Sequence, residues 1–242
     1  MGRRALPFYG LDLLDEIELY LRGKATKAGT PFLDASGAAL YSDANSLKPS
    51  RLYFLGKNPG GNPTKPDNGT IGKNLVDARG HWNAFTGERW DNNQGGEYSE
   101  GEAPIQKRVQ FLCKRLGLNI QDVPASNLVF TRSSDVPGHT DYAHDLEICK
   151  HVHELIIDAV QPDFIFTHGT VDVFLDAFNG HVIEPSRNSG HGEWMAHRGF
   201  FTIGGRKIPF GNVPHLSRYE ISDTSDARLE ALDWATEFCP RD

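Results

Sequence analysis

Apolar residues recur along the chain at two spacings, one typical of helices and one typical of buried strands. Those in residues 11–22 fall on one face of a helix, which predicts an amphipathic opening helix. Residues 51–55 form a short apolar run that ends at a glycine, which is typical of a buried strand leading into a loop. The chain therefore opens with a helix and continues into a strand.

The later segments repeat this alternation. We predict a helix over 104–116, a strand over 126–131, a long helix over 141–160, a strand over 163–167, a short helix over 171–178, strands within 200–213 that turn at Gly204-Gly205, and a closing helix over 229–238. Strands that alternate with helices form a parallel sheet covered on both faces. We therefore predict one domain over residues 1–242, an α/β fold that is a three-layer α/β/α sandwich with a mainly parallel central sheet.

A long segment, residues 57–103, interrupts the alternation and is expected to be a loop. It is rich in Gly, Asn and Pro, yet it carries Trp82, Phe85, Trp90 and Tyr98. Long loops within compact domains are commonly functional. The aromatic residues either cover a binding site or anchor the loop to the core, and the pattern leaves both readings open.

Composition narrows the class of protein. The formal net charge of -7 counts against a broad nucleic-acid surface, although a local patch and backbone N–H groups suffice to hold a few phosphates. The three cysteines are far apart and lack metal or redox spacing, and the histidine pairs on the long helix are not placed to chelate. We expect no metal, no cofactor, no membrane span, a cytoplasmic location and no obligatory protein partner.

The ends of the predicted strands carry the unusual polar residues. In a parallel sheet, ligands bind beyond the carboxyl ends of the strands. The loops that begin at Gly56, Asn127, Gly169 and Val213 are therefore expected to converge on one site.

Two of these strand ends carry recognisable motifs. Gly56 to Gly60 (GKNPG) and His215 to Tyr219 (HLSRY) resemble the two catalytic motifs of the uracil-DNA glycosylase superfamily. The first is similar to the mismatch-specific and single-strand-selective branches, which carry Asn where others carry Asp. SNLVFTR and PDFIFTHG resemble two further strands of that superfamily, in the expected order. The common His-Pro-Ser form of the second motif is His-Leu-Ser here.

The resemblance implies a uracil-DNA glycosylase-like fold and a role for each matched residue. Asn58 would position the water, His215 would donate to the departing base, and Asn127 would read the base edge. Cleavage of an N-glycosidic bond places negative charge on the base and positive charge on the sugar, so a donor and a positioned water are the groups required. The base pocket is expected to include Gly56, Lys57, Pro59, Gly60, Trp82 and Phe85.

The same resemblance implies contacts with DNA. Ser217, Ser133 and the glycine-rich loop would hold phosphates, and Arg132 would add a further contact. Arg218 and Tyr219 would enter the emptied base stack. Gly169, in the third loop, is also expected to contact DNA. Direct hydrolysis is expected, without a Schiff base or strand cleavage.

The substrate is left open at this point. An amide such as Asn127 matches a uracil edge or, flipped, a cytosine edge. The long aromatic segment after Gly60 is compatible with a bulky base, such as the modified pyrimidines of some phage genomes, and thus with a role in phage defence as well as in DNA repair. Two other functions stay open, a non-catalytic reader of modified DNA and a hydrolase of small nucleosides or nucleotides.

Overall fold

The computed structural model describes residues 9–64, 69–92, 95–133, 139, 141–224 and 226–241. The helices are α1 (Gly10–Arg22), α2 (Ile71–Asp77), α3 (Ala84–Gly87), α4 (Pro104–Arg115), α5 (Tyr142–Val160), α6 (Asp172–Ala177) and α7 (Asp226–Ala235). The strands are β1 (Leu52–Gly56), β2 (Ala125–Asn127), β3 (Phe164–His168), β4 (His181–Val182), β5 (Arg187–Asn188), β6 (Met195–Ile203) and β7 (Arg206–Val213). Within these residues, none of the helices is long and apolar enough to cross a membrane.

One mixed sheet organises the chain. Its strand order is β2-β1-β3-β7-β6-β4, and β5 pairs with β6. The strands β2, β1, β3 and β7 run parallel, whereas the ladders of β6 with β7, β4 and β5 are antiparallel. The α/β class is confirmed, and so is the predicted turn at Gly204 and Gly205, where β6 and β7 form a hairpin. Both glycines have positive φ, which a two-residue hairpin turn favours. The sheet is less parallel than predicted because β4 and β5 also pair antiparallel with β6.

Side chains of β1 alternate between two hydrophobic clusters, one on each face of the sheet. Tyr53 and Leu55 join the cluster with α1, α2, α5 and α6, called the α5 face. Leu52 and Phe54 join the cluster with α3, α4 and α7, called the α4 face. The sheet therefore has helices on both sides, which confirms the three-layer sandwich.

Most predicted boundaries hold to within a few residues, but β2 is shorter than predicted. It ends at Asn127 instead of Thr131. Beyond it, the N–H groups of Leu128 and Val129 donate to the carbonyls of Gly56 and Lys57, at 2.8 and 2.9 Å. The chain after β2 is thus tied to the loop after β1, which brings the second and first strand ends together.

The segment 57–103 is not the continuous loop that was predicted. It contains α2 and α3, and the side chains of Thr70 and Asn83 cap their N-termini by accepting backbone N–H groups. Such short helices escape detection by periodicity because they span two turns or fewer. The helix α3 places Phe85 against the core, and Trp82 and Trp90 pack against the core on either side of this helix in sequence.

Candidate active site

The carboxyl ends of β2, β1, β3 and β7 lie side by side. Gly56 pairs in register with Asn127, and His168 pairs with Val213. The N–H of Gly169 donates to the carbonyl of Val213 at 2.9 Å. The predicted convergence of the four loops is therefore confirmed, and the polar residues at these ends form the candidate active site.

Gly56 is required by the close approach of Asn127. A Cβ atom at Gly56 would lie 2.1 Å from Asn127 Oδ1 and 3.4 Å from His168 Nε2. Any residue other than glycine would therefore displace the Asn127 amide. Asn127 itself is buried, on the α4 face, at the end of the edge strand β2.

The Asn127 amide also contacts Tyr41, a residue that sequence reasoning did not assign to the site. Burial raises the pKa of Tyr41 to about 12, and the neighbouring Asn127 amide lowers it in part. The side-chain oxygen Oδ1 is the atom of this amide that lies over Gly56.

His215 is fixed in one neutral form. Its Nδ1 accepts the backbone N–H of Ser217 at 3.2 Å and lies 2.7 Å from the Ser217 hydroxyl. Because a backbone N–H can only donate, the ring proton of neutral His215 must be on Nε2. Desolvation by the surrounding protein lowers the pKa of His215, and the charges of Arg218 and Lys57 lower it further. His215 also keeps an exposed edge, so its Nε2–H is available to a ligand.

His168 is a further site residue that the sequence prediction missed. It ends β3 and its ring centroid lies 4.6 Å from that of His215, edge to face. Its Nδ1 accepts the N–H of Leu216 at 3.5 Å, which again places the ring proton on Nε2. Burial lowers the pKa of His168 well below its usual value, and His215 lowers it further. The position of His168 could have identified it, because it is a polar residue at the end of an apolar strand. The same pattern identified the other three loops.

Asn58 is held by the loop that follows β2. Its Nδ2 donates to the carbonyl of Pro59 at 3.0 Å and to that of Ser133 at 3.3 Å. Two carbonyl acceptors fix the orientation of the amide. Among the described residues, none donates a hydrogen bond to Oδ1 of Asn58, which therefore can accept one from a water molecule.

The loop around Asn58 is braced by two residues that were predicted to bind DNA. The N–H of Ser133 donates to the carbonyl of Pro59 at 3.1 Å, and the Arg132 guanidinium donates to the carbonyl of Gly60. Both residues thus stabilise the GKNPG loop in this structure. Their phosphate contacts stay a prediction.

Lys57 lies on the other side of the sheet end. Its Nζ is 5.3 Å from the centroid of the Tyr142 ring, at the start of α5, and burial lowers its pKa. The α5 face holds this side chain, whereas Gly56 and Asn127 belong to the α4 face. Lys57 is therefore not brought beside Asn127, although its charge acts on His215.

Of the two aromatic residues predicted to line a base pocket, Phe85 is brought to the α4 face of the site. Phe85 is buried against Phe54 at a centroid distance of 5.5 Å and stacks on Tyr41 at 5.7 Å. Trp90 closes this group from the side, and its Nε1 donates to Glu88 at 2.7 Å. Trp82 instead packs against the cluster on the α5 face, so the structure does not bring it to the α4 face of the site.

The HLSRY motif divides into exposed and buried residues. Ser217 and Arg218 are exposed, whereas Tyr219 is fully buried. The Tyr219 hydroxyl contacts the carbonyls of Ser189 and Arg228, at 2.6 and 3.0 Å. Tyr219 is thus part of the core, and of the two residues predicted to enter a base stack only Arg218 is accessible.

Gly169 shapes the third loop. Its φ of +97° is rarely adopted by other residues, and a Cβ atom there would lie 3.4 Å from Cδ2 of His215. The glycine therefore permits both the turn after β3 and the approach of His215. Within the described ranges, the structure contains no group of three or more His, Cys, Asp or Glu side chains that could hold a metal ion.

Comparison with known proteins gives no family assignment. A scan against protein-family models finds no match for this chain, and a search of curated protein sequences finds no significant relative.

Proposed function

We propose that this chain is a monofunctional DNA glycosylase that hydrolyses the N-glycosidic bond of a flipped pyrimidine, either uracil or a modified base, and leaves an abasic site. The observation that carries the proposal is the fixed Nε2–H of His215, which lies at the same sheet edge as Asn127 and Asn58. The resemblance of GKNPG and HLSRY to the catalytic motifs of the uracil-DNA glycosylase superfamily supports the same reading.

His215 would stabilise the departing base. Negative charge develops on the base oxygen as the bond breaks, and a preorganised donor there lowers the barrier. The lowered pKa of His215 keeps the ring neutral, so the N–H donates a hydrogen bond without the cost of burying a cation.

Asn58 would orient the attacking water. An amide oxygen is too weak a base to generate hydroxide, but positioning suffices when the base departs before the water attacks. The carbonyls of Pro59 and Ser133 hold the amide nitrogen, which leaves Oδ1 as the acceptor for that water.

Attack by water is favoured over a Schiff base with Lys57. Its ammonium group packs on the Tyr142 ring, on the α5 face, whereas the base-reading residue Asn127 belongs to the α4 face. We therefore expect an intact strand after base release. The cations Arg218 and Arg132 at the loop ends would supply local positive charge within an acidic protein.

The test is release of a base from defined DNA. Single-stranded and duplex oligonucleotides that carry uracil, cytosine or their 5-hydroxymethyl forms are incubated with the protein, and abasic sites are detected by alkaline cleavage. We expect a product from at least one oligonucleotide, and losses of about a hundredfold or more in the Asn58→Ala and His215→Ala variants. His151→Ala changes an exposed histidine on α5 and serves as the control. Unchanged rates in Asn58→Ala and His215→Ala, or no base release by the unmodified protein, would refute the proposal.

A further inference from the structure

The polar groups at the four strand ends have a defined order across the sheet. Asn127 ends β2, His168 ends β3 and His215 follows β7, with Gly56 of β1 as the gap between the first two. Asn127 Oδ1 and His168 Nε2 both lie within 3.4 Å of the point where a Cβ of Gly56 would be. The His168 and His215 rings are in contact. The three groups thus form one continuous row.

Each group in this row presents one kind of hydrogen-bonding atom. His168 and His215 both present Nε2–H, because the N–H groups of Leu216 and Ser217 occupy their Nδ1 atoms. Asn127 presents Oδ1, the atom that lies over Gly56. The order along the row is therefore acceptor, donor, donor.

This order complements one pyrimidine edge. Cytosine offers the N4 amino group as a donor, then N3 and O2 as acceptors. Uracil and thymine offer O4 as an acceptor and N3–H as a donor, so their N3–H would face the N–H of His168. We infer that His168 is the residue that selects a base with a cytosine edge, with Asn127 bonding N4 and His215 bonding O2. This inference rests on the proposed function, since it names the substrate class of that site.

His168 decides the selection more firmly than Asn127 does. The Asn127 amide could rotate by 180°, since it can present either its oxygen or its nitrogen at this position. The ring of His168 has no such freedom, because the Leu216 N–H cannot become an acceptor. A donor aimed at N3–H would leave two buried N–H groups without acceptors, which weakens binding of that base.

The 5-position of the base is not among these three contacts. A substituent there therefore does not alter the predicted order of donors and acceptors. The relevant comparison is between cytosine and uracil bases with the same 5-substituent, because the two members then differ only in the edge that His168 faces.

The experiment measures binding separately from cleavage. Oligonucleotides carry 2′-fluoroarabino analogues, whose fluorine slows breakage of the glycosidic bond, as two matched pairs: cytosine with uracil, and 5-hydroxymethylcytosine with 5-hydroxymethyluracil. We expect the cytosine member of at least one pair to bind about tenfold tighter or more. His168→Gln, which can present either an N–H or an oxygen, should reduce that ratio to near one. His168→Phe, which keeps a ring without a donor, should weaken binding of the cytosine member. His151→Gln should change neither.

The possible outcomes separate this inference from the proposed function. Equal binding, or tighter binding of the uracil member, would overturn the cytosine assignment even if a base is released. A cytosine preference that His168→Gln leaves intact would overturn the role of His168. A preference that depends on His168 without any base release would uphold the inference and refute the glycosylase. Lack of binding to all four oligonucleotides would refute both.

Discussion

The imidazole rings of His168 and His215 are oriented by the same backbone turn, at Leu216 and Ser217. The N–H of Leu216 donates to Nδ1 of His168, and the N–H of the next residue, Ser217, donates to Nδ1 of His215. Consecutive backbone amides thus place the ring protons of both histidines on Nε2, on the side away from the turn.

Gly56 and Gly60 provide a matched pair within one motif. Gly56→Ala would place a Cβ 2.1 Å from Asn127 Oδ1, whereas a Cβ at Gly60 meets nothing within 4 Å. We expect Gly56→Ala to reduce base release about a hundredfold, because displacement of a positioned group by about an ångström is enough for such a loss. Gly60→Ala should retain most activity. Single-turnover kinetics with saturating enzyme would measure both, and equal rates in the two variants would contradict the role given to Gly56.

The charges around His215 predict a measurable shift in its titration. Arg218 and Lys57 lower its pKa, with Arg218 the stronger of the two. Arg218→Gln should therefore raise the pKa of His215 by more than Lys57→Gln does. Long-range ¹H–¹⁵N spectra of the imidazole rings, recorded against pH, would measure the effect. Arg22→Gln, which removes an exposed charge on α1, is the control. A pKa that stays constant in Arg218→Gln would contradict the electrostatic coupling.

Buried His153 predicts that acid destabilises the fold. Its Nδ1 bonds the Tyr53 hydroxyl at 2.9 Å and its Nε2 lies 3.0 Å from the carbonyl of Leu128, and burial lowers its pKa from 6.5 to about 4. Between these values the unfolded chain binds more protons than the folded chain, so stability is fully present above pH 6.5 and falls as the pH approaches 4. The shift corresponds to a loss of about 3 kcal/mol.

Urea unfolding at pH 7.5 and pH 5 would measure about 2 kcal/mol of this loss, because the remainder develops between pH 5 and pH 4. His168 and His215 also have lowered pKa values and act in the same direction. The variant His153→Gln should therefore show a smaller difference between the two pH values, whatever its absolute stability, and His151→Gln should match the unmodified protein. The interpretation fails if His153→Gln retains the full difference.

Arg218 and Tyr219 are adjacent but should affect different measurements. Tyr219→Phe leaves the carbonyls of Ser189 and Arg228 without the hydroxyl, and we expect a loss of about 1–2 kcal/mol in the free energy of unfolding. Arg218→Ala should leave stability nearly unchanged but weaken binding to DNA and flatten its dependence on salt concentration. Thermal or urea unfolding and binding isotherms at several salt concentrations would separate the two. A large stability loss in Arg218→Ala would contradict this division.

The sequence predicts the sandwich well because its main elements have long periodic patterns. The helices α1, α4 and α5 and the strand β3 occur close to their predicted bounds. The short helices α2 and α3 were missed, since a helix of a few residues has no amphipathic repeat. The antiparallel part of the sheet was underestimated, because pairing partners are set by tertiary contacts and not by local sequence.

The candidate site shows the same division. Polar residues at strand ends identify Gly56, Asn127 and Gly169, since the carboxyl edge of a parallel sheet is fixed by topology. Lys57 and Trp82 lie outside the helices and strands. Their sequence positions therefore have no periodicity from which the face of the sheet that each side chain contacts could be predicted. His168 was predictable in principle, as it has the same position at the end of β3 that Asn127 has at the end of β2.

The tie between Tyr219 and Ser189 links the HLSRY motif to a distant part of the chain. Ser189 directly follows β5, the short strand that pairs with β6, and Tyr219 holds its carbonyl at 2.6 Å. Because Tyr219 is two residues from Ser217, the backbone that orients both histidines is anchored to the buried end of the 189–194 turn.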